Sequence, residues 1–460
     1  HDKGIAYEYG QKSRQKQSKR IHCLYPSAHE LRDAPREMQG KLSCRGKANN
    51  KASPGLKIDC AKLQRTAAVI GAGVAGSSTA RHLARKGWQV SVFEQAADLE
   101  HGVNALGQLA LRCRIFAQDN SLARFFLAGF LYSAREFQRM SRDEGLGWHP
   151  CGLVQLQRAG RHRKKDPAAL ERLYPEEVLL WRSQEQLRAL TGLPLARSGW
   201  HSPAAGWLDP LELCQTWLNH PAIELKQGTA IDQIVRESDG WRLLSDSKAV
   251  GGRDFPVVVI ACGMGALRFP QSASLPLQSV PGEVLRIRES EASGAIHHII
   301  QGECGIFPAY QGRHCISASF GTDENAQEDL TGQSLAMVGD LFKSPLQLKL
   351  EGVESAKAER CQSADFAPVL GAAPDFAECR RLYAPLARNA RAAGLPPPAH
   401  LPGLFFNLAH GSHGLCSAPL AAEYLASVIH GENPPLDREI AGALDPLRFL
   451  IRRLQRQQVD

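Results

Sequence analysis

The sequence predicts an α/β fold: a nucleotide-binding sheet assembled from separated stretches of chain, with an antiparallel sheet inserted between them. Three observations predict it. Apolar runs of strand length end in glycine turns and pass into helical patterns at 66–94 and again at 404–429. The all-apolar run Pro256–Ala261 (PVVVIA) stops at Cys262-Gly263. Between about 275 and 350 the alternation of strand and helix ceases, and strand-like runs follow one another.

The first unit is complete. Ala67–Ile70 is a short apolar run, Gly71-Ala72-Gly73-Val74-Ala75-Gly76 a glycine turn, and a helical pattern follows. Gln89–Phe93 is a second apolar run, and it ends in Glu94, 18 residues beyond Gly76. In a strand–turn–helix–strand unit of this kind Gly71 permits the tight turn, and Gly73 lets backbone N–H groups approach a pyrophosphate. Gly76 lets helix and strand pack closely, and Glu94 can accept hydrogen bonds from ribose hydroxyls. The helix N-terminus faces the phosphates.

The later runs extend the same sheet. A strand apolar at every position is expected where both sheet faces are covered. Its C-terminal end, with Gly263, falls beside the nucleotide. Leu404–Ala409 (LFFNLA) leads into His410-Gly411-Ser412-His413-Gly414-Leu415, and Cys416–Ile429 follows as a helix opened by Ser417 and Pro419. The N–H groups of this second helix N-terminus can also face a cofactor. The candidate cofactor residues are therefore Gly71, Gly73, Gly76, Glu94, Gly263, Gly411, Ser412, His413 and Gly414. Two distant glycine turns separated by an antiparallel insertion imply one large dinucleotide held by discontinuous segments. FAD fits that better than NAD.

Between these landmarks, Arg124–Met140 carries apolar residues at helical spacing, with aromatics on the buried side. Gly147–Leu156 reads as a turn into a strand, Arg158–Lys165 (RAGRHRKK) as an exposed basic loop, and Gln184–Leu190 as a helix. Pro210 suits the first turn of a helix Leu211–Leu218. Gly282–Arg288, Ala295–Ile300 and His314–Phe320 read as antiparallel strands of a substrate domain. In the C-terminal stretch RFLIRRLQR, Arg448, Arg452 and Arg456 recur at helical spacing and could hold phosphates. Alternatively, the helix is simply docked through Phe449, Leu450 and Leu454.

Composition bounds the class. The 460 residues, 43% hydrophobic and 22% charged, suit a globular enzyme. The formal charge is +8, but residues 1–65 hold 15 Lys+Arg against 6 Asp+Glu, so this tail carries +9 and the remainder −1. The tail lacks sustained hydrophobic periodicity and reads as disordered and basic. Its charge is solvated or forms a loose grip on RNA phosphates. The twelve cysteines include no CxxC pair, so zinc and iron–sulfur readings lack support and no metal is expected. Scattered cysteines, no export signal and no apolar run of about 18 residues suit a cytoplasmic protein without a membrane span.

From about Thr66 to Arg456 the chain resembles the D-amino-acid-oxidase-like flavoprotein superfamily. Within it, the chain is similar to the FAD-dependent oxidoreductase domain of the tRNA 5-methylaminomethyl-2-thiouridine biosynthesis bifunctional proteins. The resemblance rests on the opening glycine unit with Glu94, and on Gln108, Asp119 and Arg124-Phe125-Phe126. Cys151–Leu156, Gly206-Trp207 and His314-Cys315-Ile316 add to it, as do Asp365 with Pro368–Gly371 and Pro374-Asp375. It is strongest through Gly411–Leu420 and the tail from Asn433 to Arg453. The expected fold is therefore a Rossmann-type FAD-binding domain built from discontinuous segments (66–145, 205–270, 360–445) plus an antiparallel-sheet substrate domain (146–204, 271–359). The tail 1–65 precedes them, disordered or the remnant of an upstream domain.

The resemblance implies non-covalent FAD and oxidation at a CH–NH group. A carboxymethylaminomethyl substituent on the wobble uridine of tRNA would become 5-aminomethyl, with molecular oxygen as electron acceptor. The family's S-adenosylmethionine-dependent methyltransferase half has no counterpart in residues 1–65. The chain is expected to be a fragment or a flavin-only homologue, catalysing no methylation. Two arginines expected of the family are replaced, by Ala364 and by Pro281, and the usual Gly-Ala-Ser-Gly-Asn reads Gly102-Val103-Asn104-Ala105-Leu106. A carboxylate substrate calls for a bidentate arginine. Arg112, Arg114, Arg286 and Arg313 remain candidates that spacing does not separate. The alternative reading is a small-molecule amine or amino-acid oxidase of the glycine or sarcosine oxidase type.

Overall fold

A computed structural model describes residues 65–157, 166–318, 330–343 and 348–457. All but Arg65 of the basic tail, and the basic loop Arg158–Lys165, lie outside the described residues.

The nucleotide-side sheet has six strands, in the order Val369–Pro374, His400–Leu408, Val257–Ile260, Thr66–Ile70, Gln89–Phe93, Ile223–Lys226. Neighbours run parallel, with Ala67 beside Val257 and Val90, and Val258 beside Leu404. The exception is the edge strand Val369–Pro374, antiparallel to His400–Leu408. No separate strand signal marks it in the sequence.

Both faces of this sheet are covered, which explains its apolar strands. On one side Val69, Val92, Val259 and Phe405 pack in a core with Leu83, Phe126, Phe130 and Leu425, from the helices Val74–Arg85, Ser121–Glu144 and Gly414–His430. The second and third of these helices approach closely at Gly129, where a Cβ would stand 2.4 Å from the Cys416 carbonyl oxygen. On the other side Ala68, Ile70, Val258, Ile260 and Phe406 meet Ile234, Trp241, Leu243 and Phe255 of a three-stranded sheet spanning Gln233–Arg236, Trp241–Ser245 and Lys248–Phe255. Each fully buried aliphatic or aromatic side chain here contributes ~1.5–3 kcal/mol.

The inserted sheet has eight strands, in the order Lys349–Ser363, Leu277–Arg288, Arg313–Ala318, Gly305–Ile306, Ile299–Gln301, Leu153–Leu156, Gly199–Ser202, Leu180–Arg182. All neighbours are antiparallel except Ile299–Gln301 with Leu153–Leu156. Its residues alternate between faces. Leu285, Ile287, Ile300 and Ile316 build a private core with Leu187, Val338 and Leu341, whereas Val284, Ile299, Cys315 and Ala358 turn toward the main core. We propose the domain division stated above on this basis, with 66–145, 205–270 and 360–445 on the nucleotide side, except that the strand Lys349–Ser363 keeps residues 360–363 with the inserted sheet.

Several boundaries differ from the sequence reading. Of Ala295–Ile300 only the end is strand; Ile296 is buried in a turn held by the Ser290 and Ser293 hydroxyls. The last long helix begins at Gly414, so Pro419 lies inside it rather than in its first turn. Helix Pro210–Leu218 does open on its proline, capped by the Asp209 carboxylate. In Arg448–Gln455, Phe449, Leu450 and Leu454 are buried, and so is Arg448, whose guanidinium pairs with Asp365. Arg448 therefore cannot reach a phosphate. No helix among the described residues is long and apolar enough to cross a membrane.

Candidate functional site

A cavity of about 510 Å³ opens between the two sheets. That is within the range of pockets that enclose cofactors and small ligands. Gly71, Gly73, Glu94 and Gly263 line one end, Gly411, Ser412 and Gly414 another, and Gln301, Phe307, Ser317 and Arg360 the substrate-domain side.

The glycine turn leaves no room for side chains where the chain crosses itself. Gly71 has φ +101°, and a Cβ on it would stand 2.8 Å from Cys262 Cα. A Cβ on Gly76 would fall 1.8 Å from the Gly71 oxygen. Gly76 thus lets helix meet turn and does not itself line the cavity. Gly73 caps the helix Val74–Arg85 and has nothing within 4 Å of its would-be Cβ, because that direction is the cavity. The unsatisfied N–H groups of the first helical turn face the same space.

Glu94 is 5% exposed. Its Oε2 accepts from the Ala72 N–H at 2.9 Å and its Oε1 from the Ala96 N–H at 3.0 Å. The carboxylate thereby ties the second strand to the glycine turn. His101 Nε2 also stands 3.3 Å from Oε1, so the second lone pair of Oε2 is the one left open to a hydroxyl donor.

At the other end Gly411 has φ +56°. His410 Nε2 lies 2.8 Å from Asn407 Oδ1, and its Nδ1 lies 2.8 Å from the Ser417 hydroxyl. Asn407 Nδ2 donates to the Thr79 hydroxyl, so its oxygen accepts and His410 carries its proton on Nε2. Burial pushes His410 down to about 4, so the ring is neutral. His413 is not brought to the cavity: its ring stands edge-on to Phe126 at 5.6 Å, and burial holds it neutral too.

The four arginine candidates separate clearly. Arg112 lines the cavity. Arg286 turns to the Ala105 carbonyl at 2.8 Å, and its guanidinium lies against Gly107. Arg313 pairs with Glu354 at 3.0 Å on the far part of its strand. Arg114 donates to the Phe366 carbonyl outside the cavity. Of the four, Arg114, Arg286 and Arg313 stand outside the cavity lining and make their hydrogen bonds or ion pairs away from it.

The sequence missed Arg360. It lies on Lys349–Ser363 beside Val280, lines the cavity, and donates to the Ser412 hydroxyl at 2.8 Å and the Pro281 carbonyl at 3.2 Å. Among the described residues neither Arg112 nor Arg360 has a carboxylate partner. Burial pulls both guanidinium groups below their ordinary value, and Arg360 repels Arg112 further. No local signal marks Arg360. Only the pairing of strands 80 residues apart brings it here.

These residues fit FAD. Two helix N-termini and two glycine turns face one cavity, and the buried Glu94 carboxylate lines it just past the second strand. The arrangement defines a two-domain flavin oxidoreductase. The chain belongs to the family described as FAD dependent oxidoreductase, whose sequence model matches residues 66–428. It is 33% identical over 404 residues to the tRNA 5-methylaminomethyl-2-thiouridine biosynthesis bifunctional protein MnmC of Pseudomonas fluorescens (strain Pf0-1), and 34% identical over 402 residues to that of Stutzerimonas stutzeri. Each match covers 85% of this chain and 60% of the relative, so the chain spans about three-fifths of their length. Among solved structures, glycine oxidase from Geobacillus kaustophilus superposes with TM-score 0.63 at 20% identity, over 83% of this chain and 98% of that one. L-proline dehydrogenase from P. horikoshii gives 0.61 at 15%, over 84% and 98%. At such identities these show a shared fold.

Proposed function

We propose that the chain oxidises the carboxymethylaminomethyl group on the wobble uridine of tRNA and leaves the 5-aminomethyl form. The observation that carries this reading is the pair Arg112 and Arg360, two guanidinium groups in the cavity without a carboxylate partner among the described residues. An N-substituted glycine supplies the missing anion. The curated relatives support the tRNA part, since their names place them in biosynthesis of 5-methylaminomethyl-2-thiouridine in tRNA.

The bound cofactor supplies a two-electron oxidation of the carbon–nitrogen bond. Arg112 and Arg360 take the substrate carboxylate and so fix the adjacent methylene, and charge-assisted pairing of this kind gives direction as well as affinity. Neutral His410, held by Asn407 and Ser417, presents no competing positive charge beside the amine. Gln301, Phe307 and Ser317 close the substrate-domain side of the cavity. Loss of a hydride and a proton converts the secondary amine to an imine. Water then splits the imine into the 5-aminomethyl uridine and glyoxylate. Molecular oxygen is the proposed terminal acceptor, reduced to hydrogen peroxide.

Incubating the protein with hypomodified tRNA and analysing its nucleosides by mass spectrometry tests the reading. The 5-aminomethyl nucleoside should appear as the carboxymethylated one disappears. Under anaerobic conditions the same tRNA should bleach the flavin. Bleaching by free glycine or sarcosine and not by tRNA would overturn the proposal in favour of a small-molecule oxidase.

A further inference from the structure

Phe366 is the most exposed large apolar side chain among the described residues, at 54%. It also has φ +59°, the left-handed region that bulky side chains avoid. Such an outlier persists only where its surroundings impose it. Here they do. The Phe366 N–H donates to the Ser363 carbonyl at 3.0 Å, and Arg114 donates to the Phe366 carbonyl. The preceding residue, Asp365, is gripped by Arg448 through two hydrogen bonds and by Arg452 through one. The fold thus fixes an aromatic ring in water rather than letting it fold into the core.

The ring has a cationic neighbour. The Arg114 guanidinium lies 4.9 Å from the Phe116 ring centre, 5.4 Å from that of Phe126 and 5.9 Å from that of Phe366. The platform adjoins the cavity along the chain: Arg112 lines it two residues before Arg114, and Cys361 lines it five residues before Phe366. One exposed ring among arginines and an aspartate is too small an apolar area for a protein interface. Aromatic and guanidinium planes together are instead how single-stranded nucleic acid is held, each base stacking in turn.

We propose that Phe366, with Arg114 beside it, stacks an unpaired nucleobase of an RNA loop whose modified base enters the cavity. The proposal rests on the tRNA reading above. A base that leaves its stack to enter an active site deprives its neighbour of a stacking partner, and a fixed aromatic ring replaces it.

A synthetic anticodon stem-loop with 2-aminopurine next to the wobble position tests this, with flavin content recorded for every variant. Wild type should bind the loop and quench the aminopurine. Phe366→Ala should weaken binding on the order of tenfold. The salt dependence should stay unchanged, because no phosphate contact is lost. Phe366→Trp should keep affinity and quenching, and Phe366→Leu, apolar but without a π face, should fall with the alanine variant. Equal affinity in wild type and Phe366→Ala, or wild-type binding by Phe366→Leu, would overturn the platform while leaving the tRNA reading intact. A wild-type protein that binds no stem-loop would overturn both.

Discussion

The Arg360 guanidinium reaches across a strand pair to the main-chain oxygen of Pro281, 3.2 Å away. Pro281 stands where the family resemblance leads one to expect an arginine, and a positive charge arrives from the neighbouring strand. Its second anchor, the Ser412 hydroxyl, belongs to the glycine turn before the long C-terminal helix. Both sheets therefore set the position of this charge. Arg360→Met should retain FAD yet raise KM for the modified tRNA by about 10- to 100-fold, the loss of a charged hydrogen bond of ~1.5–3 kcal/mol. Arg360→Lys should recover part of it. Anaerobic stopped-flow reduction of the flavin measures both, and an unchanged KM in the methionine variant would remove Arg360 from the site.

The two inner glycines should behave differently. Gly73→Asp puts a carboxylate into open cavity, where nothing stands within 4 Å of the new Cβ. The protein should fold with an ordinary melting profile yet purify without non-covalent yellow FAD, because the carboxylate meets the pyrophosphate. Gly76→Ala drives a methyl into the Gly71 oxygen, 1.8 Å from its Cβ. It should lower stability itself, by ~1–3 kcal/mol for forced overpacking. Absorbance at 450 nm against melting temperature separates the two, and wild-type FAD content in Gly73→Asp would refute the assignment of this turn.

The difference between these two positions was legible in the sequence because the glycine unit is local. Turn, helix and Glu94 lie within 30 residues, and each follows from backbone geometry. The same holds for the apolar strand Val257–Ile260, where cover on both faces leaves a continuous pattern. The substrate side was not legible, since it depends on pairing across distance. Arg112, Arg114, Arg286 and Arg313 look alike as letters. Only the strand register turns Arg286 toward Ala105, pairs Arg313 with Glu354, and brings Arg360 over Gly282. Arg448 was misread for a related reason. Helical spacing put it beside Arg452 and Arg456, but the spacing could not reveal Asp365 waiting under that face.

That buried pair should be costly to break. Arg448 is 6% exposed, bonds both Asp365 oxygens, and also donates to the Leu444 and Ala367 carbonyls. Burial alone would raise the Asp365 carboxyl, but hydrogen bonds and charge from Arg448, with help from Arg452, hold it well below the usual carboxylate range. Removing one partner of a buried pair strands the other, at ~3–5 kcal/mol. Arg448→Met should approach that loss in urea unfolding, while Arg452→Gln, nearer the surface, should cost no more than ~1 kcal/mol. Equal effects of the two variants would show that burial does not decide the matter.

The histidine next to the second glycine turn predicts the acid limit of stability. His410 is buried and sits at about 4 when folded, against 6.5 for a free imidazole. Below pH 6.5 the unfolded chain therefore binds a proton that the folded chain refuses. Unfolded molecules hold more protons throughout that window, so stability falls as pH drops from about 6.5 to 4, and the contribution is complete above 6.5. At pH 4.5 this single group accounts for a loss of about 2 to 3 kcal/mol. His201, also lowered to about 4 by burial and by His298, acts with the same sign. Asp365 does not confuse the window, because its stabilisation is lost only below the ordinary carboxylate range near 3.8. His410→Gln removes the titration while keeping a side-chain amide that can donate to Asn407. Its unfolding free energy should be lower than wild type at pH 7.5, since the ring's contact with the Ser417 hydroxyl is lost. The gap should narrow or reverse by pH 4.5. Urea unfolding of both proteins at the two pH values decides it, and parallel pH dependences would mean that His410 is already charged in the folded protein.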